Sequence, residues 1–203
     1  TLLDGLDDTA KFVGKIGYIT SKNGALIGHT QGGEGMLRTI KSLGDIENKR
    51  LSIVGAGNIA KGLLFEMEKV GIKVEVSLFN RDSNKSDMLK DRFSSVVSSK
   101  SLNDVSIAEG DYFINLTDIG GSVHDYTFDK DIVSRFNGIV DVTFETEETE
   151  LIKNAKKMNK KVATGWDMFT YQGQTCLEGL LNIKVDPIML KKHVVAGLSE
   201  IVT

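Results

Sequence analysis

The stretch Leu51-Ser52-Ile53-Val54-Gly55-Ala56-Gly57-Asn58-Ile59-Ala60 has the residue types of an anion-binding turn. It reads as a β-branched strand, a Gly-x-Gly-x-x-Ala turn and the start of a helix. Gly55 permits the tight turn, Gly57 lets a pyrophosphate approach the backbone, and Ala60 is small enough for close helix–strand packing. Phosphates would then meet free N–H groups and the positive end of the helix. The pattern alone also suits a turn built only for packing; the strand before it and the helix after it favour a dinucleotide.

The next strand decides which dinucleotide. A carboxylate at its end would hold a ribose 2′-hydroxyl, and a cation a 2′-phosphate. That position falls at Asn80-Arg81, 80 − 55 = 25 residues after Gly55. Arg81 can pair with phosphate through two hydrogen bonds, although Asp82 follows it and partly cancels its charge. NADP is therefore favoured and NAD is the alternative, with a solvated Arg81 as the bland reading.

Other reactive side chains are sparse. His29 could take a proton near neutral pH, or lie idle at the end of a hairpin. His124 and His193 read as incidental, and no His or Cys spacing suits a metal. The one cysteine, Cys176, excludes an intramolecular disulfide and reads as a small buried residue rather than a nucleophile.

The elements that must position these residues alternate. Strands are expected at Arg50–Val54, Lys73–Phe79, Asp111–Leu116, Gly138–Phe144 and Lys161–Thr164. Helices are expected from Ile59 to Val70, stopping at Gly71, and at Ser86–Phe93, Lys130–Phe136 and Thr149–Asn159. A last helix starts with Asp186 as N-cap and Pro187 as first residue, and runs through Leu190, Val194 and Leu198. Ahead of them, Lys15–Thr20 and Ala25–Gly28 flank an Asn23-Gly24 hairpin turn, and Glu34–Leu43 has helical spacing. The fold class is α/β: a Rossmann-type, doubly wound parallel sheet with helices on both faces, plus an N-terminal hairpin and helix. The expected division is 1–44 as remnant or hinge of a second domain, 45–185 as dinucleotide-binding domain and 186–203 as C-terminal helix.

In 203 residues, 25 Lys+Arg face 28 Asp+Glu, a net charge of −3, which gives no electrostatic case for a nucleic-acid partner. No apolar run approaches the roughly 18 residues of a membrane span, and no signal-peptide pattern is seen. A cytoplasmic protein acting on a small molecule is expected, with a homodimer left open.

Four blocks resemble the shikimate/quinate dehydrogenase family. Gly55-Ala56-Gly57 with Asn80-Arg81 is similar to its cofactor turn and Asn-Arg-Thr motif. Asn115-Leu116-Thr117-Asp118-Ile119-Gly120 is similar to its Asn-x-Thr-Pro-x-Gly loop. Asp141-Val142-Thr143-Phe144, followed by Glu148-Thr149-Glu150-Leu151-Ile152, is similar to its Asp-x-x-Tyr and Thr-Pro-Leu-Leu pair. Gly165-Trp166-Asp167-Met168 through Gln172-Gly173 is similar to its Gly-x-x-Met-Leu-x-x-Gln-Gly signature. Upstream, His29-Thr30-Gln31-Gly32 stands where the family has Asn-Thr-Asp-Gly.

The resemblance implies roles. Gly55, Ala56, Gly57, Asn58 and Ile59 would hold the pyrophosphate, and Asn80 and Arg81 the adenosine ribose and its phosphate. Thr117, Val142, Gly165 and Met168 would line the nicotinamide, while Gln172, Thr30 and Phe144 would face substrate. It implies an NADP-dependent oxidoreductase of aromatic amino acid biosynthesis, moving hydride to or from a ring carbon of a shikimate-like acid. The family's catalytic Lys–Asp pair is not matched. Its Lys belongs to a substrate domain that would precede Thr1, and its Asp is replaced by Gln31, which cannot ionise. Gly17 stands at a substrate-binding Asn, Phe144 at a Tyr, and Asp167 at a small residue. His29 and Gln31 are thus the only catalytic candidates. Two other readings stay open: a nucleotide-binding homologue without turnover, acting as sensor or structural partner, and a dehydrogenase for a different small acid.

Overall fold

The computed structural model describes residues 2–121, 128–146 and 148–202, the last five of them as backbone only. Six strands form one parallel sheet: β4 (Lys49–Val54), β5 (Val74–Asn80), β6 (Val96–Ser101), β7 (Tyr112–Asn115), β8 (Gly138–Asp141) and β9 (Lys161–Thr164). Their order across the sheet is β6-β5-β4-β7-β8-β9. The strand order reverses between β4 and β7, so their carboxyl ends open a crevice, the place where such sheets bind ligands.

Successive strand residues point to opposite faces, and each face has its own core. Ile53, Ile114 and Val140 pack on one side with Met36, Leu63, Leu64 and Met168. These come from α2 (Gly32–Lys41), α3 (Asn58–Lys69) and α6 (Gly165–Leu181). Val54, Phe113 and Ile139 pack on the other with Ile132, Phe136, Ile152 and Ala155. That layer holds α5 (Glu150–Lys157) and 3-10 turns at Leu102–Ile107 and Lys130–Arg135.

A second, three-stranded sheet stands apart, in the order β1-β3-β2. Its members are β1 (Gly5–Leu6), β2 (Tyr18–Lys22) and β3 (Ala25–His29), and α1 (Asp8–Val13) follows β1. Asn23 and Gly24 both take positive φ, 52° and 83°, the geometry of the tight two-residue turn expected of Asn-Gly. The last helix, α7 (Pro187–Val202), begins as expected: the Asp186 carboxylate accepts from the Ile188 N–H at 2.8 Å.

Several boundaries differ from expectation for visible reasons. β8 stops at Asp141 rather than Phe144, because the Asp141 side chain accepts from the Thr143 N–H and hydroxyl and turns the chain out of the sheet. The expected helix at 130–136 is a 3-10 turn. β6 went unforeseen because an edge strand of Val-Val-Ser-Ser-Lys-Ser has no apolar alternation. α6 went unforeseen because Gly165, Gly173 and Gly179 interrupt its stripe.

Candidate functional site

The crevice between β4, β5 and β7 is a cavity of about 560 Å³. Of the expected cofactor residues, Gly55, Ala56, Gly57, Asn80, Arg81 and Thr117 line it. Asn58 and Ile59 begin α3 directly after Gly57 and do not line the cavity themselves. Gly55 has φ +104°, and a Cβ there would lie 3.0 Å from Thr117 Cγ2 and 3.2 Å from the Leu116 carbonyl. A side chain is thus excluded twice, by conformation and by space.

Gly57 is different. Its φ is ordinary at −84° and nothing lies within 4 Å of where its Cβ would be. The fold would accept a larger residue there; the open space is a cradle. Gly57 is also the N-cap of α3 with no side-chain cap, which leaves first-turn N–H groups facing the crevice without intrahelical partners. This donor set fits a diphosphate.

Asn80 does something the sequence did not suggest. Its Oδ1 accepts from the Ala56 N–H at 3.2 Å, while its Nδ2 donates to the Asp82 carbonyl at 2.6 Å. Its amide therefore clamps the end of β5 to the glycine turn. Nor does the Asp82 carboxylate quench Arg81. It caps α4 (Ser83–Arg92) through the Asn84 N–H and lies 3.9 Å from Lys85 Nζ. Arg81 makes no ion pair with another described residue, and Lys85, four residues on, also lines the cavity. That i, i+4 spacing of two cations was the available signal for Lys85.

Thr117 is held by a network behind the crevice wall. Asn115 Oδ1 accepts from the Thr117 N–H and hydroxyl, and its Nδ2 donates to the Ile119 carbonyl and to Asp141 Oδ1. Asp141, 1% exposed, also accepts from Thr143 and, through Oδ2, from the Thr149 hydroxyl at 2.6 Å. One buried carboxylate thus joins the loops after β7 and β8 to the N-cap of α5.

Past the crevice, Val142, Gly165 and Met168 follow the same carboxyl edge, but Met168 is buried in the core. A Cβ on Gly165 would lie 2.5 Å from the Thr143 carbonyl, so α6 is pressed on the loop after β8. Phe144 is 39% exposed and packs on Phe169. Asp167 is first of all a cap: it accepts from the Thr164 N–H and hydroxyl in a capping box.

The substrate-facing candidates lie where α2 starts. Gln172 packs on Gly35, whose Cβ would be 2.6 Å from Gln172 Cγ. Thr30 is half-buried between β3 and α2. Gln31 Oε1 would be 1.7 Å from a Cβ on Gly17, so the Gln31 amide occupies the space that Gly17 vacates. That oxygen is buried and, among the described residues, has no hydrogen-bond partner. His29 is fully engaged: Nδ1 contacts Asp7 Oδ2 and Nε2 contacts Thr20 Oγ1, each at 2.8 Å, with Tyr18 stacked on the ring. It is not idle: its ring ties β2 and β3 to the residue ahead of α1.

Burial pushes the Cys176 thiol up, away from nucleophilic use. His193 is exposed, and His124 lies outside the described residues. Among the described residues, no group of three or more His, Cys, Asp or Glu is placed to hold a metal, and no helix is long and apolar enough to cross a membrane.

No protein-family model matches the chain. Individual relatives do. The shikimate dehydrogenase (NADP(+)) of a Geobacillus species is 31% identical over 205 residues, covering 97% of this chain and 74% of the relative. The enzyme of the same name from Methanococcus vannielii is 26% identical, covering 95% and 72%. Among solved structures, shikimate 5-dehydrogenase from Listeria monocytogenes, in complex with shikimate and NAD, superposes with a TM-score of 0.81 at 23% identity. That match covers 95% of this chain and 72% of the other. The Thermus thermophilus enzyme, in complex with NADP(H) and shikimate, gives 0.79 at 20% identity over 96% and 72%. The structural matches speak for the fold, and the Geobacillus relative, matched across nearly three quarters of its length, carries the lineage: the chain belongs to the shikimate dehydrogenase family.

Proposed function

We propose that the protein is an NADP-linked oxidoreductase acting on a ring hydroxyl or ketone of a shikimate-like acid. The observation that carries this is the open cradle at Gly57, facing the uncapped start of α3, with Arg81 and Lys85 at the other end of one cavity. When bound, the nicotinamide supplies or takes a hydride at the carbon being reduced or oxidised. The α3 amide donors would hold the diphosphate, Arg81 and Lys85 the 2′-phosphate, and Asn80 the turn between them. Thr117, Val142, Gly165 and Met168 mark the edge along which the nicotinamide would extend. Gln31, Thr30, Gln172 and Phe144 would meet the substrate. The relatives named for NADP(+) support this choice of coenzyme.

On this reading, residues 45–185 form the dinucleotide-binding unit. The small sheet within 1–44 is the base of the substrate side, and within 186–203 the helix α7 (Pro187–Val202) packs on α6. The partner is a small molecule, in the cytoplasm.

The test is addition of NADPH and the ring ketone 3-dehydroshikimate to the intact protein, following loss of dihydronicotinamide absorbance. Steady loss supports the reading; a protein that binds neither NADPH nor NADH ends it. A second reading, a nucleotide-binding homologue without turnover, is favoured by one feature: Gln31 stands at the family's catalytic Asp and cannot ionise. NADPH binding without turnover across a panel of ring ketones would select it.

A further inference from the structure

The sheet face that carries Val54, Phe113 and Ile139 is covered unevenly. α5 and the turn at Lys130–Arg135 pack on its β7–β8 side. Over β4, β5 and β6 the chain supplies only the short 3-10 turn at Leu102–Ile107. A second cavity, of about 190 Å³, stays open between those strands and the residues that end the turn.

The strands under this cavity are polar where a core would be apolar. Ser52, Ser77 and Ser98 stand side by side on the three strands, while the next row on the same face is Val54, Phe79 and Lys100. Three hydroxyls forgo the apolar burial that Val54 and Phe79 gain, so packing does not account for them. Ser52 donates to the Glu109 carbonyl and Ser98 to the Ser77 hydroxyl, each at 2.9 Å. The Ser77 hydroxyl keeps its own proton to give.

The cavity also has a cation at one end. Lys100 Nζ stands 5.7 Å from the centre of the Phe79 ring and makes no ion pair with a described residue, which leaves its three donors for a ligand. Two carboxylates line the cavity as well, at the other end. Glu109 lies 3.5 Å from Arg50, and Arg50 is the register partner of Glu75. Four residues of β5 separate Glu75 from Phe79, about 13 Å, which exceeds the screening length of about 8 Å at physiological ionic strength. The Lys100 end therefore stays positive. Val97 and Ile107, both exposed, offer it apolar walls. The volume is that of about six water molecules, room for a small acid and not for a nucleotide.

Phe79 lines both this cavity and the crevice, and Arg81 follows it by two residues. A negative charge placed on Lys100 would cancel positive potential behind the wall that the coenzyme phosphates would face.

We propose that this second cavity binds a small organic carboxylate, held by Lys100 and the Ser77 hydroxyl, and that the bound acid weakens coenzyme binding. The binding site stands by itself; the effect on the coenzyme rests on the NADP reading above.

The probe is benzoate, with neutral benzamide and inorganic phosphate as comparisons, added to the intact protein and followed by amide NMR. Benzoate should give saturable shifts at Ser77, Ser98 and Lys100 that persist with NADPH bound. Benzamide and phosphate should each bind at least about tenfold more weakly, as should benzoate to Lys100→Met and Ser77→Ala, both checked for unchanged melting. At low salt, saturating benzoate should lower NADPH affinity about twofold or more in wild type and not in Lys100→Met. Absent shifts, equal binding by Lys100→Met, or displacement of benzoate by NADPH overturns the site. Phosphate binding as tightly as benzoate overturns the organic-acid class. Unchanged NADPH affinity overturns the effect on the coenzyme alone. A wild type that binds no NADPH ends the coenzyme reading and that effect together, while the benzoate shifts still decide the site.

Discussion

The two ends of the site are built by different means. Around the crevice, polar side chains are matched to backbone: Asn80 clamps the glycine turn, and Asn115 and Asp141 fasten the loops after β7 and β8. Where α2 begins, Gln31 presents a buried oxygen without a hydrogen-bond partner among the described residues, against a glycine, and His29 is locked into the small sheet. The crevice is preorganised for a ligand of fixed shape, whereas the ionisable groups at the α2 end, His29 and Glu34, are paired with Asp7 and Arg38. If the proposed reading holds, recognition of the coenzyme and of the second substrate are separable, and substitutions at the two ends should behave differently.

The largest effect should come from Gly57→Val. Since the fold has room for the side chain, circular dichroism and melting should stay near wild type while NADPH affinity falls by ~100-fold or more, the loss of charge-assisted bonds worth about 1.5–3 kcal/mol each. Unchanged affinity would mean the turn is only structural, and the contrast between the two ends would collapse. Next is Asp141→Ala, which strands buried donors on Asn115, Thr143 and Thr149. Chemical denaturation should show a loss on the order of 3 kcal/mol. Gln31→Ala, at the other end, should change stability by less than about 1 kcal/mol, because its acceptor has no bond to lose.

Arg81→Ala sharpens the comparison within the crevice. NADP(+) binding should weaken by about 1–3 kcal/mol with NAD(+) binding little changed, read by calorimetry with both coenzymes; equal losses would refute the phosphate role.

The smallest effect concerns acid. Burial alone would raise the Glu178 carboxyl, but Arg38 at 2.8 Å and the Val185 N–H outweigh it and hold it below its ordinary 4.5. A lowered folded value means stability present above the unfolded value and lost as pH falls through the folded one. The stability gap between wild type and Glu178→Gln should be constant above about pH 5.5 and shrink below about 4.5. A gap that does not vary across that range would remove Glu178 from the acid response.

What could be read in the sequence follows the same divide. The glycine turn, its flanking strand and helix, the Asn-Gly hairpin and the Asp186-Pro187 helix start were legible because each is a local rule acting over a few residues. α6 and β6 were not, since glycines and serines hide their periodicity and only tertiary packing selects them. In the site, Arg81 was visible and Lys85 was passed over. The clamp by Asn80, the engagement of His29 from Asp7 and Thr20, and the Asp167–Lys191 contact each join residues brought together only by the fold. Asp7 and His29 lie 22 residues apart, and Asp167 and Lys191 lie 24.

The Asn80–Ala56 hydrogen bond has a practical corollary for redesign. It makes one amide the mechanical link between the tip of β5 and the glycine turn, the places proposed for the 2′-phosphate and the diphosphate. Exchanging Arg81 and Lys85 for acidic residues could therefore invert coenzyme preference with the turn undisturbed, so long as the neighbouring asparagine is kept. A library that randomises position 80 with them would lose affinity for both coenzymes together and hide the switch.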